Sequence, residues 1–149
     1  MAISDEQSAA MRAMLAGDFD EHWRLAERLD QVEGWQTYNT LLVAAFFRAV
    51  ERRFGGGSTD AEIVKFVADA RARFDQSGND IDPGTAERLV LAALGKASVD
   101  GLDDEMVVRT ETVLLSALVI AENLDDDGLD KFMKEARELA NEWIAADQA

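Results

Sequence analysis

Few residues in this chain have the types and spacing that chemistry demands. The single histidine, His22, lies one helical turn from Asp18, so the two could share an ion. A carboxylate-bridged di-metal bundle needs Glu-x-x-His on two helices, which one histidine cannot supply. A Ser-His-Asp triad would also have to be built on His22, and the Gly-x-Ser-x-Gly elbow that usually presents the serine is absent. His22 is therefore expected as a surface or helix-capping residue. With no cysteine, disulfides, thiol nucleophiles and thiolate metal sites are excluded.

Thirty acids against fifteen bases raise calcium as the next chemistry. An EF-hand loop needs oxygen ligands at positions 1, 3, 5 and 12 and glycine at 6. A loop starting at Asp75 supplies Asp75, Ser77 and Asn79, but places Asp80 where glycine belongs and Ala86 where the bidentate Glu belongs. Asp125-Asp126-Asp127-Gly128 fails in the same way at Leu129 and Asp130. The tract GGGST at 55–59 lacks the lysine of a phosphate loop, and Asp60 and Glu62 crowd it with negative charge, so it reads as a helix end and turn. No metal and no cofactor is expected.

Two weaker constellations remain. Arg48, Arg52 and Arg53, with Arg71 and Arg73 on the next helix, could gather guanidiniums for a small anion or an acidic peptide. They could equally serve the C-terminal dipole of their helix and pair with Glu51, Asp69 and Asp75. Gln36, Thr37, Tyr38, Asn39 and Thr40 open a helix that is otherwise apolar; they either face solvent or line a pocket with Trp35. The candidate ligand- or anion-binding residues are accordingly Tyr38, Asn39, Arg48, Arg52 and Arg53.

What must position these residues is an all-α scaffold. One proline and a 3.6-residue apolar rhythm predict seven helices. Ser4 with Gln7 forms a capping box for the first, which Gly17 ends. Asp18 caps the second, whose stripe of Phe19, Trp23, Ala26, Leu29 and Val32 is expected to face the core and which Gly34 stops. The third runs from about Trp35 to Phe54 and contains LLVAAFF, apolar on nearly every side. Thr59 with Glu62 opens the fourth, which should bury Ile63, Phe66, Val67, Ala70 and Phe74. Asp82 and Pro83 open the fifth. The sixth, from about Asp103 to Leu124, carries the apolar tract VLLSALVIA. The seventh places Leu129, Phe132, Met133, Ala136, Leu139, Ala140, Trp143 and Ile144 at spacings of three and four. Pairs Asp127–Lys131 and Asp130–Lys134 fall on its outer face. Two apolar central helices surrounded by amphipathic ones describe one compact domain over 1–149.

The charge completes the reading. Sixteen of the thirty acids sit close to predicted helix starts, where they complement the helix dipole, so capping accounts for much of the net −15. The surplus lies at residues 102–149, with 13 acids against 4 bases. Such a chain repels nucleic acid and anionic lipid, so neither is an expected partner. The opening MAISDEQSAAM has no basic or apolar leader region, and no apolar run approaches a membrane span, so the cytoplasm is the expected compartment. Arginine in excess of lysine and abundant alanine point to a bacterial source. The function expected is non-enzymatic: an adaptor or regulatory protein that meets a protein partner, basic in character, through an acidic helical surface. The alternative is a small-molecule-binding domain with a pocket between the central helices near Tyr38, Asn39 and Arg48. Pairing of Phe132, Trp143 and Ile144 with a second copy would make a homodimer, and core packing explains the same stripe.

Overall fold

The structure, a computed structural model, describes residues 2–29 and 33–147. They form seven helices and no strand, 75% helical: α1 Asp5–Leu15, α2 Phe19–Ala26, α3 Glu33–Phe54, α4 Asp60–Phe74, α5 Pro83–Ala93, α6 Asp104–Glu122 and α7 Asp126–Asp147. The chain is thus all-α, as its rhythm predicts. Contacts gather it into two units, residues 1–45 with 119–149 and residues 46–118, so that α3 and α6 each contribute to both.

Acids and hydroxyls start the helices where the sequence puts them. Ser4 accepts the Gln7 N–H at 3.1 Å while the Gln7 side chain accepts the Ser4 N–H at 2.9 Å, a complete capping box. Asp18 caps Glu21, Thr59 caps Glu62, Asp82 caps Thr85, Asp103 caps Met106 and Asp125 caps Gly128. Each cap satisfies a backbone donor that the helix itself leaves unpaired.

In the first unit α1 packs against both α2 and α7. Met11, Ala10, Leu41, Phe132, Ala136 and Ala140 are fully buried. The segment before α1 is fastened to α7: Asn141 accepts the Ile3 N–H at 2.8 Å, and Arg137 donates to the Ile3 carbonyl at 2.8 Å and to Asp5 at 2.7 Å. About two turns further along α1, Arg12 donates to Asp130 at 2.6 Å. Asp130 is thereby drawn to α1, where the sequence alone suggests a pair with Lys134. Phe132 and Ile144 are buried within this unit, while Leu139 and Trp143 of the same stripe are half-buried.

In the second unit α4 packs on α5. Its core contains Val50, Phe54, Ile63, Val67, Ile81, Leu89, Val90, Leu114, Leu115 and Leu118. Arg71 closes the turn before α5 by donating to the carbonyls of Ile81 and Gly78, and Arg88 does the same after α5 with Ser98 and Asp100.

Three expectations are corrected. α2 ends at Ala26, and Gly34 lies inside α3, so it does not stop α2; Val32 falls outside the described residues. α2 also turns a different face inward: His22, Leu25, Ala26 and Leu29 are buried, while Phe19 and Trp23 are 59% and 61% exposed. Finally Phe74, the last residue of α4, is exposed beneath the Arg73 guanidinium, 5.6 Å from its ring centre. A helix end has no following turn to cover it.

The rotation of α2 separates two aromatic residues that hydropathy would treat alike. Phe132→Ala should lower the unfolding free energy by about 3–5 kcal/mol, the cost of emptying a core ring site. Phe19→Ala should change it by less than about 0.5 kcal/mol, as surface substitutions do. Urea denaturation of both variants measures the contrast.

Candidate functional site

α3 does not bring the five predicted site residues onto one face. Tyr38 is buried, and burial pushes its phenol up to about 12, so it holds its proton at neutral pH. Asn39, the next residue, is exposed. At 100° per residue Asn39 and Arg48 point to opposite sides of the helix, with roughly 13 Å of rise between them. The arginines of the second unit already have work. Arg48 pairs with Glu51 at 3.3 Å, and Arg53 stacks over Phe54 and Phe66 at 5.7 and 6.0 Å. Arg71 holds loop carbonyls, as above. Arg52, exposed on α3, has an interaction of its own.

The loop after α4 shows why its acids do not read as a calcium site. Asp75 is buried, and its carboxylate accepts N–H groups from Gly78, Asp80 and Ile81 and the Ser77 hydroxyl at 2.9–3.1 Å. Burial alone would raise its pKa; the four donors outweigh it and hold the group below the usual carboxylate range. Those oxygens organise the turn. Among the described residues no three His, Asp or Glu side chains gather to hold a metal.

His22 is not a surface residue. It is buried, with Nδ1 2.7 Å from the Ala10 carbonyl, which can only accept, so Nδ1 carries the proton. This bond ties α2 to α1 and fixes its rotation. Measured from His22, Leu25, Ala26 and Leu29 lie within about 60° on the buried side, while Phe19, Trp23 and Glu27 follow one another at spacings of four along one shoulder.

That shoulder carries the clearest surface feature of the first unit. Trp23, Ala26, Glu27, Leu29 and Trp35 line an open cavity of about 240 Å³. Trp23 meets the His22 ring edge-on at 5.1 Å, and Trp35 meets the buried Tyr38 ring edge-on at 5.5 Å, so each indole is braced by a buried aromatic. Trp35 remains 39% exposed. Beside the cavity Arg24 grips Glu21 with two N–H donors, one at 2.8 Å, and holds that carboxylate below its usual range. Glu27 makes no ion pair among the described residues. A second cavity of similar size in this unit lies between Leu15, Ala16 and the α6–α7 turn at Asn123. None of the five predicted site residues lines either cavity.

One titratable group escaped the sequence reading. Glu111 on α6 is only 4% exposed, and burial pushes its carboxyl up to about 7. Its neighbour Thr110 is fully buried, with an Oγ1 that finds no hydrogen-bond partner among the described residues. Glu111 precedes Leu114, Leu115 and Leu118 by three, four and seven residues, a spacing that already marks it as facing the core. A carboxyl near 7 suits proton transfer. Neither cavity described above is lined by it, and among the described residues no second titratable side chain hydrogen-bonds to it.

Comparison with protein-family models, with curated proteins and with solved structures finds no match for this chain. The functional reading therefore rests on its own geometry. No helix among the described residues is long and apolar enough to cross a membrane.

Two acids test this description in opposite directions. Because the folded state holds a proton on Glu111 up to about pH 7 against 4.5 ordinarily, the contribution of this group to stability is fullest below pH 4.5 and should be lost as pH rises toward 7, by roughly 3 kcal/mol. Glu111→Gln should abolish this slope between about pH 5 and 7 and leave the variant more stable than the parent at about pH 8; urea titrations across that range decide it. Asp75 has the reverse sign, its contribution being present at neutral pH and lost only in acid, below the ordinary 3.8. Asp75→Asn should lower Tm at pH 7 by more than Asp80→Asn does.

Proposed function

We propose that this chain is a non-enzymatic interaction protein, an adaptor or regulator that docks a basic protein partner. The observation that carries the reading is the shoulder of α2: Phe19 and Trp23 stand exposed on one row, with Trp35 beside Trp23. Large aromatic residues left in water mark interaction surfaces, and tryptophan is enriched among residues that dominate binding energy. Around them stand Asp18, Asp20, Glu21 and Glu27, and residues 18–34 carry a net −4. An aromatic centre with an acidic rim favours a partner that brings both apolar contact and positive charge.

The acidic surplus at residues 102–149 supports the same sign of partner. Asp126 and Glu105 have side chains 98% and 85% exposed, and their ion pairs, at 3.7 and 3.8 Å, are long. Charge of this kind steers encounter more than it holds a complex. The aromatic shoulder supplies the specific contact.

A tagged chain should capture a defined basic partner from its native lysate at low salt, with mass spectrometry as the readout. The double variant Phe19→Ser and Trp23→Ser should lose that partner while retaining its circular dichroism spectrum. A partner retained by the variant shows that α2 is not the docking face.

A further inference from the structure

We propose that the cavity between Trp23 and Trp35 is a seat for one lysine-type side-chain cation of the partner, held between two indole faces and the Glu27 carboxylate. The inference rests on α2 being the docking face and names what that face recognises. Three observations converge on it. First, the lining is chemically specific: it is formed by two tryptophans, Trp23 and Trp35, one acid, Glu27, and the aliphatic residues Ala26 and Leu29. Indole faces attract cations through their quadrupole, more strongly than any other side-chain ring. Second, the charge is available. Arg24 is committed to Glu21 by two hydrogen bonds, the charge of Arg28 is also felt by Glu21, and Glu27 has no ion pair among the described residues. Third, the site is pre-organised, since buried His22 and Tyr38 brace the two indoles and little ordering remains to be done on binding.

The chemistry excludes the other occupants of such a pocket. An apolar side chain would cover the Glu27 carboxylate without pairing it, at a desolvation cost that a cation avoids. An anion would face Glu27 directly. The size, about 240 Å³, lies below the roughly 300–1,000 Å³ of pockets that enclose drug-sized ligands, so it suits one side chain presented from outside. An alkylammonium group satisfies all three walls: its stem lies along Ala26 and Leu29 and its head meets the rings and the carboxylate.

The chain carries three tryptophans, 23, 35 and 143, so its indole N–H signals in a ¹⁵N-labelled sample report the site against an internal control. The probe is an end-blocked peptide with one lysine flanked by glycines; its counterpart carries norleucine in place of lysine. The lysine peptide should move the Trp23 and Trp35 signals and leave Trp143 in place, and the norleucine peptide should move none at the same concentration. Trp35→Ala and Glu27→Gln should each weaken the response by about three- to thirty-fold. Glu27 is exposed, so its variant tests the site without touching the core. Equal response to norleucine would make the cavity an apolar groove and overturn the proposal, as would shifts shared evenly by all three indoles. Tetramethylammonium binding more tightly than the lysine peptide would assign the seat to a small free cation and overturn it too. If the peptide moves nothing while the docking variant still loses its partner, the cation seat falls and the docking face stands. If neither experiment responds, both fall.

Discussion

The rotation of one short helix decides what this protein shows to water. α2 has eight residues and is too short to hold itself in place by propensity, so its packing on α1 sets its phase. The bond from His22 Nδ1 to the Ala10 carbonyl is the specific part of that packing. A buried imidazole must keep a partner, and only one rotation of α2 supplies it. With His22 inside, Phe19 and Trp23 are carried to the shoulder, and Glu27 follows them on the same row. Turning the helix to bring Phe19 and Trp23 inward would carry His22 away from the Ala10 carbonyl. The structure keeps the hydrogen bond and exposes the rings.

The same trade explains how far the sequence was legible. Helix number, caps and most buried positions of α3, α6 and α7 follow from rules that agree, although Val43 and Ile120 within the apolar tracts stay exposed. Ser4 and Gln7 sit at the correct offset, Asp82 precedes Pro83, and the apolar stripe of α7 has no competitor. α2 is different because its periodicity admits two neighbouring phases, one led by Phe19 and Trp23 and one by His22, Leu25 and Leu29. Hydropathy prefers the first. What selects the second is a contact with Ala10, twelve residues away in a different helix, and no local pattern encodes it. The candidate site suffers in consequence: the sequence offers Trp35 as a pocket residue, while the stripe of α2 places its counterpart Trp23 in the core. Tyr38 enters only as the brace behind Trp35.

Glu111 and Asp75 show a second limit. Both are acids in a strongly acidic chain, and composition treats them as solvated charge. Asp75 is buried but meets four donors, so it stays ionised; Glu111 is buried without a donor among the described residues, so it keeps its proton to about pH 7. The apolar spacing around Glu111 reveals its burial, but the donors of Asp75 belong to a turn whose geometry exists only once the loop has closed. Burial is a property of the helix face; partnership is a property of the fold.

Positive charge is also unevenly spent, and this bears on what the surface can bind. Arg12 and Arg137 join α1 and its leading segment to α7, Arg24 holds Glu21, and Arg48 and Arg109 pair within their own helices. Arg71 and Arg88 make no ion pair among the described residues; they donate to the carbonyls that close the loops on either side of α5. Each arginine used this way stabilises a turn and leaves a carboxylate elsewhere without a counterion. Fifteen bases against thirty acids could have dispersed the deficit evenly; instead the structural demands on arginine concentrate it on exposed faces. At the shoulder of α2 such an acid stands beside two indoles, where an incoming cation gains from the ring quadrupole and the carboxylate together. The internal use of arginine thus leaves Glu27 without an ion pair among the described residues.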